Sequence, residues 1–181
     1  MNLGLLILRV VVGLTFSAHG LQKLVGAFDG PGIKGFSGVL EHLGLRPGKV
    51  HAWVVAVTET FGGLLIALGL VTTPAAAALI GVMTAAVLTV HLRNGFFAAN
   101  KGYEFNLALA AALVALAGIG AGAWSLDNAL SIDLAGTWWA VGAAGVGFLG
   151  GLAVIAGGRF YSRRSERPRR KPPRYAHPTR A

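Results

Sequence analysis

The side chains with chemical capacity in this chain stand where such groups are costly. Arg9, His19 and Lys23 interrupt the first long apolar run, Glu59 is the one charge in the second, His91 closes the third, and Tyr103 and Glu104 open the fourth. A charge near the middle of a membrane helix costs roughly 2.5–3.5 kcal/mol on insertion scales, so these groups must face protein or a watery cavity. Glu59 with a neighbouring histidine in a low-dielectric site can pass protons, which makes His19, Glu59 and His91 a candidate catalytic relay or polar site. His19, Lys23, Tyr103 and Glu104 form a candidate cradle for a quinone head, whose carbonyls need hydrogen-bond donors and whose tail needs apolar walls. Arg9 and Glu59 are the candidate structural ion pair, joined directly or through a water or Asn106. The bland alternative is that this pair only sets helix register while the histidines bond locally. A haem held by His19 and His91 is weaker, because the two differ by roughly 5 Å in depth.

The elements that must carry these residues are membrane spans. The chain has 181 residues, 54% hydrophobic and 13% charged, against about 25% charged in a soluble domain. Its apolar residues fall into blocks of spanning length: Leu3–Leu24, Ala52–Val71, Ala75–Leu92, Phe105–Gly122 and Thr137–Gly158. The fold class expected is therefore all-α, a polytopic transmembrane bundle of five helices. The first run lacks the charged start and cleavage site of a signal peptide and is expected to be retained. Glycines at four-residue spacing, Gly118/Gly122 and Gly147/Gly151, predict close helix packing. Between the first two spans, Phe36, Val39, Leu40 and Leu43 recur at helical spacing and predict a short interfacial helix near 36–44, with Glu41 and His42 toward water.

Charge is distributed on one side. Lys23, Lys34, Arg46 and Lys49 in the first loop, Arg93 and Lys101 in the third, and the tail fall together, while the second and fourth loops hold no Lys or Arg. The positive-inside tendency then predicts a plasma-membrane protein with its amino terminus outside and its carboxy terminus in the cytoplasm. The segment 159–181 carries eight Arg and one Lys against Glu166 alone. It is rich in Pro168, Pro172, Pro173 and Pro178, and it is expected to be a disordered tail that meets anionic lipids. Cysteine is absent, which excludes disulfide, thiolate-metal and dithiol chemistry within the chain. No glycine-rich nucleotide loop, Ser/His/Asp constellation or metal-ligand spacing occurs.

Taken together, LRVVVGLTFSAHGLQKL at 8–24, TETFGGLLIALGL at 58–70, HLRNGFF at 91–97, GYEFNLALAAALVAL at 102–116 and WSLD at 124–127 resemble the DoxX family of small bacterial membrane proteins. The likeness covers about residues 3–130. It implies a four-helix membrane core over 1–130, to which 131–158 adds a further span. The family's motif positions fall here on Arg9, Gly13, Phe16, His19, Gly20, Lys23, Glu59, Gly62, Gly63, His91, Gly95, Phe96, Phe97, Gly102, Tyr103 and Glu104. The resemblance implies a redox-associated role linked to thiol, thiosulfate or quinone chemistry, with a soluble sulfurtransferase and superoxide dismutase as partner classes; a homo-oligomer is a separate expectation. The expected function is thus a membrane subunit of an oxidoreductase system. A scaffold without chemistry and a small-molecule permease are the alternatives.

Overall fold

Helix α1 (Asn2–Leu24) is the first of seven α-helices in a computed structural model that describes residues 2–165, with no strand among them. It is followed by α2 (Gly32–His42), α3 (Gly48–Leu68), α4 (Thr72–Ala86), α5 (Glu104–Ile119), the single turn α6 (Leu126–Ala129) and α7 (Thr137–Ser165). The polytopic helical bundle expected from the sequence is the observed architecture, with four helices among the described residues long and apolar enough to cross a membrane. The fourth apolar block is the exception. Gly120 (φ 90°) ends α5 after 16 residues, about 24 Å of rise against a hydrocarbon core of about 30 Å. The last helix departs in the other direction, since it continues past 158 to Ser165 and takes up the start of the expected tail. The rest of that tail, 166–181, lies outside the described residues.

Helices α1 and α3 are antiparallel partners, and their register is set by residues that have no side chain. A Cβ on Gly13 would overlap the Gly63 carbonyl and the Ala67 backbone, and one on Gly63 would overlap the Gly13 carbonyl and Ser17. Without an extra apolar effect in lipid, such backbone approach supplies the packing contacts that hold helices together. Ser17 completes the seam by donating from Oγ to the Thr60 carbonyl at 3.0 Å. A core of Val12, Phe16, Ile66, Leu79, Leu113 and Leu116 fills the space among α1, α3, α4 and α5.

Helix α7 lies along α4 through the Gly147/Gly151 pair, which presses on Ala77, Ile80, Gly81 and Thr84. Gly118 and Gly122 do not form a second seam of this kind, because Gly122 (φ 79°) stands beyond the end of α5. The short helix α2 packs its apolar side, Ile33, Phe36 and Leu40, against Leu45, Ala52 and Ile155. Glu41 and His42 face outward as expected, and Glu41 also accepts from the Gly48 N–H at the start of α3 (3.3 Å).

Helix α4 runs without interruption into a π-helical turn, Val87–His91, and a 3-10 turn, Leu92–Asn94. A π turn inserts an extra residue and rotates the chain beyond it about the helix axis, and such turns recur at functional sites. Here it brings Thr89, Val90 and His91 to the wall of a common cavity.

Candidate functional site

The basic residues of loops 25–47 and 94–103 mark one end of the bundle, and a cavity of about 450 Å³ opens beneath them. Its floor and walls are mainly apolar, from Phe16, Leu40, Val55, Met83, Phe105 and Leu109. Into this lining come His19 and Lys23 from α1, Glu59 from α3, and Thr89 and His91 from the π turn. Four of the residues singled out in the sequence, on three separate helices, therefore share one chamber. The volume lies within the range of about 300–1,000 Å³ typical of small-molecule sites, which are likewise apolar with a few polar groups.

Glu59 is almost fully buried and pairs with Lys23 through Oε2 and Nζ. The Lys23 ammonium also lies over the Phe36 ring, 5.5 Å from its centroid, which ties the pair to α2. His19 donates from Nδ1 to the Thr15 carbonyl (2.9 Å) and sits on the exposed rim beside Phe105, ring centroids 6.0 Å apart. His91 donates from Nδ1 to the Lys101 carbonyl (2.7 Å), which also accepts from Asn94 (3.1 Å). The 94–103 loop is thereby fixed across the cavity. Tyr103 and Glu104 shape this loop and do not line the chamber. Tyr103 meets Phe96 edge-on with centroids 5.6 Å apart, and Glu104 accepts from the Ala98 N–H at 2.9 Å. That removes them from the expected quinone cradle, while Asn106, Thr89, His51 and Lys101, which sequence spacing did not single out as cavity residues, do line it.

The Arg9–Glu59 pair expected from the sequence is not formed. In the antiparallel register set by Gly13 and Gly63, Arg9 stands level with Gly69, ten residues and about 15 Å along α3 from Glu59. Arg9 is 1% exposed, and its Nη2 donates to the Trp124 carbonyl. Gly69, in the left-handed conformation (φ 64°), ends α3 and leaves the space that the guanidinium fills. The nearby countercharge is Asp127, whose carboxylate also accepts from the Val71 and Thr72 N–H groups (2.6 and 3.0 Å) at the start of α4. Asp127 thus ties the start of α4 to the segment after Trp124, and its charge acts on Arg9 from a distance at the far end. Ser125 caps α6, its Oγ accepting from the Asn128 N–H at 3.1 Å.

The family model DoxX matches residues 4–92. A Bacillus subtilis (strain 168) protein named "Putative oxidoreductase CatD" is 30% identical over 118 residues, covering 65% of this chain and 81% of that protein. The chain belongs to the DoxX family. A second relative, "Uncharacterized membrane protein Rv3486" of Mycobacterium tuberculosis (strain ATCC 25618 / H37Rv), is 31% identical over 135 residues, 68% of this chain and 79% of that protein. No solved structure matches the chain. The DoxX match takes in α1 to α4 and the π turn through Leu92, and so includes every one of His19, Lys23, Glu59 and His91. Helices α5 and α7, which close the remaining sides of the cavity with Phe105, Asn106 and Val154, lie beyond it.

Proposed function

We propose that this DoxX-family chain is the membrane subunit of a redox-associated oxidoreductase system and that its cavity receives the ring of a quinone-type lipid. The observation that carries this reading is the convergence of His19, Lys23, Glu59 and His91 on one apolar chamber of about 450 Å³. The residues fit such a ring. Phe16, Phe105 and Leu109 offer flat or apolar walls, beside a smaller set of polar side chains. A scaffold has no need of a chamber built this way. The relative named as an oxidoreductase supports the same class of activity. A bound quinone would supply two-electron redox chemistry, and this chain would hold and orient the ring and take or give protons at the His19, Glu59 and His91 cluster. Soluble enzymes of the sulfurtransferase or superoxide dismutase type would complete the system from the basic face.

Purified chain in lipid nanodiscs should bind a short-tailed quinone or its reduced form with a 1:1 stoichiometry. Replacement of Leu109 by Trp, which fills the apolar wall without removing a polar group, should abolish binding. Failure of both ring forms to bind wild-type protein in calorimetry would refute the reading.

The basic end, with Lys34, Lys49, Arg93 and Lys101 exposed, is inferred to face the cytoplasm. A carboxy-terminal reporter active only in the cytoplasm should be active in this fusion, and activity of a reporter restricted to the periplasm or cell exterior would reverse the assignment.

A further inference from the structure

The hydrogen-bond roles around the cavity are unequal. A carbonyl oxygen carries no proton, so the bonds of His19 Nδ1 to Thr15 and of His91 Nδ1 to Lys101 require the proton of each neutral imidazole to be on Nδ1. Nε2 of both rings is then a lone-pair acceptor. Of the other neutral groups, Thr89 gives its O–H to the Ala85 carbonyl (2.7 Å), and Asn106 gives one N–H to Met83 Sδ (3.5 Å), which leaves its Oδ1 to accept and its second N–H to donate. Glu59 uses Oε2 for Lys23, and Oε1 remains an acceptor. Of the cationic donors on the lining, Lys23 gives one N–H to Glu59 and lies over the Phe36 ring, and Lys101 is on the exposed rim. His51, near Gly158 of α7, is the one neutral ring on the lining whose proton is not assigned by a bond.

A dicarbonyl ring offers only acceptors, whereas its dihydroxy form offers two O–H donors. We propose that the cavity is selective for the reduced, dihydroxy form of a quinone-type ring, with the Nε2 atoms of His19 and His91 as the hydroxyl acceptors. This rests on the reading that such a ring occupies the cavity. The oxidised form would set its carbonyl oxygens against Nε2 lone pairs and lose both bonds, and each bond lost weakens binding.

The test is equilibrium binding to the full chain in nanodiscs, read by calorimetry under anaerobic conditions, with one short-tailed hydroquinone and the corresponding quinone. The reduced form should bind tighter by about tenfold or more. A double variant, His19→Asn and His91→Asn, keeps an amide N–H near each Nδ1 position and removes both Nε2 acceptors. In it the two affinities should approach one another. Equal or tighter binding of the quinone by wild-type protein would overturn the selectivity while leaving the ring site standing. Absence of binding by either form would remove the site itself, and a preference that survives the double variant would take the acceptor role away from the histidines. The wild-type comparison decides the selectivity even where the variant does not fold.

Discussion

Lys23→Leu should destabilise the folded bundle by about 3–5 kcal/mol, because it leaves the buried Glu59 carboxylate without its ion-pair partner. Glu59 is 3% exposed, and its Oε2 takes the Lys23 ammonium. The reverse replacement, Glu59→Leu, should cost less. Lys23 is 19% exposed at the side chain and stands at the last turn of α1, so its ammonium can extend to the head-group layer once released. The double variant should recover much of the Lys23→Leu loss, since two leucines leave no buried charge. Arg9 supplies the contrast. Its bond goes to Trp124 and its countercharge is Asp127, so Arg9→Leu and Glu59→Leu should add to within about 0.5 kcal/mol. Denaturant unfolding in detergent micelles, applied to the two cycles, checks both statements. Additivity of Lys23 with Glu59, or strong coupling of Arg9 with Glu59, would show the pairing to be wrong.

A larger effect still is expected at the α1–α3 seam. Gly63→Val puts a branched side chain against the Gly13 carbonyl and the Ser17 backbone, neither of which can rotate away. The helices would have to separate, and the loss should be at least about 4 kcal/mol, in the range that single substitutions rarely reach. Because this seam sets the level of Arg9 against Gly69 and of Lys23 against Glu59, both ends of the molecule should fail together. Gly142→Val is the matched control on α7, where nothing lies within 4 Å of the added Cβ; it should change stability by no more than about 0.5 kcal/mol. Monodisperse yield in detergent and melting temperature read both outcomes. Gly63→Val protein that melts like the wild type would mean that the close approach does not hold the bundle.

The amino-acid sequence alone determined that the chain is a helical membrane protein. Blocks of some twenty apolar residues have few other stable forms, since every backbone N–H and C=O in lipid must bond within its own segment. It also determined which side chains would matter, because a charge or imidazole inside such a block is too costly to stand without a partner. His19, Lys23, Glu59 and His91 were visible on that ground, and they line one cavity. What sequence spacing could not decide was the axial register of one helix on another. Arg9 and Lys23 are both basic and both on α1, and the choice between them as the partner of Glu59 depends on where Gly13 meets Gly63. The same limit applies to the cavity rim. A π turn within an unbroken apolar run leaves no mark in composition, yet it brings Thr89 and His91 to the chamber. Tyr103 and Glu104 looked like site residues from position, but the bonds that close the 94–103 loop claim them first. Local periodicity thus identifies a helix and its costly residues, whereas backbone contacts between distant segments decide which of those residues meet.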